Sequence, residues 1–151
     1  MTLDHKLGMK IAYEEARKSY NEGGIPIGGC LIKKDGTIIS RGHNMRVQKQ
    51  SATLHGEICV LERAGRLPAS VYKDCILYTT LSACPMCSGS VLLYKIPTLV
   101  CGEDTNFKGP HDWLEQNGVE VINLNDQDCK ELMAKFIKEK PELWYEDIGE
   151  D

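Results

Sequence analysis

Apolar residues at Leu3, Leu7, Ile11, Ala12 and Ala16 recur every three or four positions, the spacing of one helix face, and Gly23-Gly24 supplies a stop. Residues 3–20 are therefore predicted to form a helix packed on a sheet. Residues 27–33 and 37–41 read as two strands joined at Asp35-Gly36, a dipeptide that favours a tight hairpin turn, so an antiparallel pair opens the sheet. Beyond a polar loop the helical period returns over 55–66, ending near Gly65, and 75–80 is a short β-rich run. Another helix is expected over 84–94, with Pro85 just inside its start, where a missing N–H does no harm. Strand, short helix and strand follow over 98–102, 112–116 and 119–124. This alternation implies crossover connections and a parallel portion of sheet. Asp126 caps a last long helix through Lys138, and Pro141 breaks the chain into a tail bearing Trp144, Tyr145 and Ile148. The pattern predicts one α/β domain over residues 1–151, a five-stranded mixed sheet with helices on both faces. It holds no internal repeat, low-complexity stretch or linker.

Composition narrows the chemistry. A chain of 151 residues, 42% hydrophobic, can bury one sizeable core, whereas two separate domains would each be marginal. The 22 acidic and 18 basic residues give a formal charge of −4 and a pI near 5.6, the wrong sign for tracking a polyphosphate backbone. A small molecule is thus a better substrate expectation than nucleic acid. The first 20 residues hold no uninterrupted apolar run of the kind a signal peptide or membrane span requires. A cytoplasmic location is expected, with diffusion into the nucleus open and no membrane partner. The cysteine count of 7 is odd and the spacings are irregular apart from one C-x-x-C, so reduced thiols and a metal site fit better than disulfides. Cys30, Cys59, Cys75 and Cys101 read as small buried residues.

Two short motifs stand out: His55-Gly56-Glu57 at one predicted helix start and Cys84-Pro85-Met86-Cys87 at the next. Each alone is weak, since a lone histidine is usually a satisfied polar group and a C-x-x-C is often redox-active or incidental. Together they suit a catalytic zinc. Cysteines three apart share a helix face, two thiolates neutralise a divalent charge, and the helix N-termini favour negative charge there. His55 would be the third ligand. Three ligands leave the fourth tetrahedral position to water, which zinc acidifies toward neutrality. A closed structural site would need a fourth ligand, and His5, His43 and His111 all lie far away in sequence. Glu57, two positions beyond His55, is placed to move protons without ligating. This is the H-x-E with P-C-x-x-C arrangement described for zinc deaminases of nucleobases. The chain departs from it once, with Ala83 where the first proline stands.

Over nearly its whole length the chain resembles the fungal cytosine deaminases, within the cytidine/deoxycytidylate deaminase superfamily. The resemblance is carried by Ile25-Pro26-Ile27-Gly28-Gly29-Cys30, Arg41-Gly42-His43-Asn44, Ser51-Ala52-Thr53-Leu54-His55-Gly56-Glu57, Thr79-Thr80-Leu81-Ser82, Asn106-Phe107-Lys108 and the tail Trp144-Tyr145-Glu146-Asp147-Ile148-Gly149-Glu150. It implies a three-layer α-β-α sandwich of the cytidine deaminase type, a homodimer, a bound Zn2+ and a free pyrimidine base as substrate. It also implies roles. Asn44 would hydrogen-bond the ring, the Gly56 N–H would donate to the ring carbonyl, and Asp147 would accept from the exocyclic amine. Phe107, Trp144 and Ile148 would form an apolar lid, with Ser82 also at the base and residues 141–151 closing over the site. Without the resemblance, Asn44 reads equally as a turn residue, Phe107 and Trp144 as core anchors, and Asp147 as a solvated acid.

The expected activity is hydrolysis of a cyclic amidine C–N bond, turning cytosine into uracil and ammonia. Within the same chemistry, deamination of another nucleobase, a nucleoside or adenosine in tRNA stays open. From other classes, a zinc-stabilised interaction protein or a dithiol redox protein using Cys84 and Cys87 remains, although the redox reading leaves His55 and Glu57 unexplained.

Overall fold

A computed structural model describes residues 4–151. Helix α1 spans His5–Asn21, so Leu3 of the predicted first helix lies outside the described residues. The Asp4 carboxylate accepts from the Lys6 N–H at its start, and Gly23, at φ +84°, turns the chain out of its end. Strands β1 (Gly28–Lys33) and β2 (Ile38–His43) follow as the predicted hairpin, with Gly36 at φ +96° in the turn. Then come a single turn α2 (Arg46–Lys49), α3 (Gly56–Ala64), a second single turn α4 (Ala69–Tyr72) and β3 (Cys75–Leu81). The chain continues through α5 (Pro85–Tyr94), β4 (Thr98–Glu103), α6 (His111–Gln116), β5 (Glu120–Asn123) and α7 (Gln127–Glu139), capped by Asp126. It ends in α8 (Pro141–Asp147), a helix where only a tail was expected.

The five strands lie in the order β2-β1-β3-β4-β5. β1 pairs antiparallel with both β2 and β3, while β3, β4 and β5 run parallel, which gives the mixed sheet the sequence predicts. Alternate residues of the central strands feed two separate cores. Leu31, Leu77 and Leu99 pack with Val60 of α3, Cys87 and Val91 of α5, and Leu114 of α6. Cys30, Ile32, Ile76, Tyr78 and Val100 face the other way, onto Met9, Ile11 and Ala12 of α1 and Cys129 of α7. Helices cover both faces, so the layers are α, β and α. All seven cysteines are free thiols, and Cys30, Cys59, Cys75 and Cys101 are buried.

A third cluster forms at one end of the sheet, where Ile25, Ile27 and Leu81 meet Met133 and Phe136 of α7 and Trp144 of α8. β3 and β4 both finish at this end, and the chain leaves each strand directly into a site segment. Leu81 is followed by the Cys84 turn, and Glu103 by the segment carrying Phe107. Parallel strand ends of this kind open a crevice between their outgoing connections.

Candidate active site

His55 is the residue before α3 and Cys84 the residue before α5; both have extended backbones, with ψ of 165° and 172°. Neither spends its side chain on capping its helix, so the imidazole and thiol aim inward. Cys87, one turn into α5, is fully buried. One atom from each of His55, Cys84 and Cys87 lies within 4.8 Å of the others, a spacing that can hold a single ion. The His55 Nδ1 is 3.5 Å from the Cys84 Sγ, so Nδ1 faces the thiols and Nε2 points away. Ala83, where the pattern has proline, is buried, and its carbonyl accepts from the Ser88 hydroxyl. Pro85 occupies the first turn of α5. His5 pairs with the Tyr78 hydroxyl, His43 lies beside the Asn44 carbonyl and Glu22, and His111 pairs with Ser82. None joins the three-residue cluster among the described residues.

The electrostatics of the donor set fit a cation. The Cys87 thiol hydrogen-bonds Cys84 and pulls it down to about 4 against the cost of burial, with His55 helping. Cys87 itself is pushed well above the ordinary thiol range by that same bond, by burial and by the Glu57 charge. Burial opposes charging His55, but the Cys84 hydrogen bond and the Asp147 and Glu57 carboxylates outweigh it and hold the imidazole up to about 9. Taken alone, then, these groups are anionic enough to draw a proton onto the histidine and to deny ionisation to the second thiol. A divalent ion would relieve both. Burial first, then the Cys84 charge, raises Glu57 to about 7, where a carboxyl can both give and take a proton near neutral pH.

Of the remaining predicted site residues, Ser82, Phe107, Trp144, Asp147 and Ile148 line one crevice with His55, Glu57 and Cys84, whereas Asn44 is joined to it through Asp147 and Gly56 lies between His55 and Glu57 in the chain. Asn44 is fully buried at the end of β2. Its N–H donates to the Ile27 carbonyl, its Oδ1 accepts from the Arg46 N–H, and its Nδ2 donates to Asp147 Oδ1 at 2.8 Å. Asp147 is buried too, and its Oδ1 lies 3.4 Å from His55 Nε2, the nitrogen turned away from the thiols. Burial raises its carboxyl pKa, although His55 and Asn44 hold that rise back. Gly56 is the first residue of α3, so its N–H has no acceptor within the helix. Phe107 and Trp144 meet edge to face with ring centroids 6.1 Å apart.

Ile27, His55, Glu57, Leu81, Ser82, Cys84, Phe107, Trp144, Asp147 and Ile148 line a cavity of only about 10 Å³, room for about one water. An adjoining cavity of about 300 Å³ shares His55, Cys84, Phe107, Asp147 and Ile148 with it and reaches Ala52, Met86 and Gly149, so only the inner part of the site is too small for a base. Ser82 borders the cavity, but its hydroxyl is engaged with the Gly109 N–H and the His111 ring. Sequence reasoning did not single out Ile27 or Leu81, and the rule that ligands sit at the ends of parallel strands would have found Leu81.

Residues 2–103 match the family described as the cytidine and deoxycytidylate deaminase zinc-binding region. The chain is 60% identical to a cytosine deaminase of Candida albicans over 99% of its own length and 100% of that protein. It is 35% identical to a tRNA-specific adenosine deaminase of Streptococcus pyogenes, over 87% of this chain and 88% of the other. A solved structure from a study of A-to-I editing by tRNA:A34 deaminases superimposes with a TM-score of 0.71 at 27% identity, covering 84% of this chain and 99% of that one.

Proposed function

Because the chain belongs to the cytidine and deoxycytidylate deaminase zinc-binding family, we propose that it hydrolyses free cytosine to uracil and ammonia, as the name of its Candida albicans relative suggests. The observation that carries this reading is that the His55, Cys84 and Cys87 cluster abuts a crevice lined by Glu57 and by Asp147, which Asn44 holds by a hydrogen bond. His55 Nδ1 and the two thiolates would hold zinc. Zinc held there supplies the Lewis acidity that makes water nucleophilic near neutral pH.

The chain's own residues do the rest. Glu57 takes a proton from the attacking water and delivers it to N3 of the ring, so that the C4–O bond forms at a more electrophilic carbon. It then carries the second proton to the exocyclic nitrogen, the C4–N bond breaks, and ammonia leaves. Asp147 accepts from the exocyclic amine, Asn44 hydrogen-bonds the ring, and the Gly56 N–H donates to the ring carbonyl. Phe107, Trp144 and Ile148 cover the base and exclude water, with Ser82 at the wall of the pocket. The whole chain acts as one deaminase domain, and residues 141–151 serve as its lid.

We propose a homodimer as the working form. Met86, Leu93, Tyr94 and Trp113 are exposed large hydrophobics, Leu93 at 70% exposure. Met86, Leu93 and Tyr94 line an apolar cleft of about 710 Å³ with Ile58, Leu61 and Tyr72. Exposed apolar surface gathered in this way marks an association face. Among the described residues no helix is long and apolar enough to cross a membrane, which accords with the cytoplasmic location we propose.

Ammonia release from cytosine, cytidine, adenine, guanine and a tRNA substrate, measured in parallel with and without a zinc chelator, tests the activity. Turnover of cytosine alone, abolished by the chelator, is expected. Turnover of adenosine in tRNA would shift the assignment to the activity named for the Streptococcus relative.

A further inference from the structure

Two jaws close on the crevice, and they are built differently. One is the 104–110 segment that presents Phe107; the other is α8, which presents Trp144, Asp147 and Ile148. The Phe107 segment is tied down at both ends. At its start Glu103, fully buried at the end of β4, accepts from the Thr105 N–H at 2.7 Å, the Asn106 N–H at 3.0 Å and the Asn106 Nδ2 at 2.8 Å. The same Asn106 amide also reaches the Lys130 carbonyl on α7 at 3.1 Å. At its far end the Gly109 N–H donates to Ser82 Oγ at 2.9 Å, and that hydroxyl lies 2.7 Å from His111 Nε2. Ser82 is itself fixed, since its N–H donates to the Glu103 carbonyl at 2.9 Å. The two ties therefore share one anchor at the adjoining ends of β3 and β4. Gly109 packs so closely that a Cβ there would overlap the Ala83 carbonyl oxygen.

The opposite jaw has little of this. Among the described residues, the one side-chain hydrogen bond from α8 to the rest of the chain is the Asn44–Asp147 bond, joined by the looser His55–Asp147 approach. The remaining hold is apolar, through Trp144 and the half-buried Leu143 and Ile148. The inner cavity beside Glu57 has room for about one water, so a base standing in the adjoining cavity of about 300 Å³ between Phe107 and the end of α8 reaches it only when one jaw gives way. The jaw with the fewer ties opens at lower cost.

We infer that Ser82, His111 and Glu103 are positioning residues, which hold Phe107 as the fixed jaw of the site while the α8 jaw moves to admit the base. Phe107 offers its apolar surface alike to a bound base and to its tetrahedral intermediate. Loosening it therefore weakens binding of both and appears chiefly in KM. This kinetic consequence rests on the proposed activity; the difference in local stability does not.

Residue-resolved hydrogen exchange on the zinc-loaded protein without substrate tests the inference first. The amides of Thr105, Asn106 and Gly109 should exchange at least about tenfold more slowly than those of Trp144 and Ile148. Equal rates overturn the fixed-jaw assignment without touching the proposed reaction, which fails separately if wild-type protein does not turn over cytosine. His111→Ala should speed exchange at Gly109 and raise KM for cytosine, each about fivefold, the factor expected for one lost hydrogen bond, with kcat within about twofold. His111→Gln, which can place an amide where Nε2 now lies, should restore both. A Gly109 rate or a KM that stays at its wild-type value in a folded His111→Ala protein overturns the positioning role.

Discussion

Glu57 sits two residues beyond His55, the proposed metal ligand, 3% exposed, with its carboxyl raised to about 7 by burial and by the Cys84 charge. A carboxyl in the ordinary range would release its proton too readily to serve as an acid at neutral pH. Burial works against that release, which suits a group that must both take and give a proton between water, ring nitrogen and leaving amine. The isosteric amide keeps the shape and burial but cannot exchange protons. Glu57→Gln should therefore keep one zinc per chain by elemental analysis, while kcat falls about 10²–10⁴-fold. Loss of the metal in this variant would make Glu57 a ligand, and full turnover would remove it from the mechanism.

At the scale of elements, much of the architecture was legible because local patterns suffice for it. The stripe of α1, the Asp35-Gly36 hairpin and the helix–strand alternation after Cys75 each reappear within a few residues of their expected bounds. α2 and α4, single turns of four residues, are too short to show a period. The sequence predicts a tail where α8 lies, because Pro141 ends a helix approached from its N-terminal side. In the structure the same proline starts the next one, at a position where its missing N–H is harmless. The candidate donors that the structure brings together were visible for the same local reason, since His55 with Glu57 and Cys84 with Cys87 are neighbours in sequence. Asn44 meets Asp147 across 103 positions and Ser82 meets His111 across 29. Those contacts depend on which strand ends lie side by side. They also make α8 separable from the core: ending the chain after Tyr145 removes Asp147 and Ile148 but no residue of the two main cores. Such a protein should melt within a few degrees of wild type yet lose at least about tenfold in kcat/KM, and unchanged kinetics would reduce the tail to surface.

α1, β2 and α3 are also joined by charge. Glu15, with its side chain 1% exposed, receives Lys18 at 3.0 Å and Arg41 at 2.9 Å, and Arg63 approaches at 3.5 Å. Burial works against its ionisation, but the hydrogen bonds from Lys18 and Arg41 prevail and its pKa is lowered. A carboxyl with a lowered folded pKa contributes its stability above its unfolded pKa, near 4.3, and loses it as pH falls through the folded value. The three cations are 37–60% exposed, which screens the pairs. Glu15→Gln is thus expected to cost about 2 kcal/mol at pH 7, less than a fully buried pair would. The gap between wild type and variant in denaturant unfolding should narrow progressively below about pH 4. A gap that persists to pH 2 would assign the cost to packing instead of charge.

At the scale of the whole molecule, exposed apolar side chains gather on the face of α5 and α6. Leu93 and Tyr94 close α5, Met86 opens it, and Trp113 stands on the neighbouring α6, all exposed beside the cleft floored by Ile58, Leu61 and Tyr72. α5 begins with the Cys84–Cys87 pair, so whatever packs against this face also steadies the helix that carries two of the three proposed metal donors. A charge placed at the most exposed of these positions should be tolerated by an isolated chain and rejected by a desolvated interface. Leu93→Glu is therefore expected to halve the particle mass in sedimentation equilibrium at micromolar concentration, with far-ultraviolet circular dichroism unchanged. If the face supports the site, the same variant should lose zinc to a chelator faster than wild type does. A wild-type protein that sediments as a monomer at every concentration would refute the dimer and leave this apolar face without a partner of its own kind.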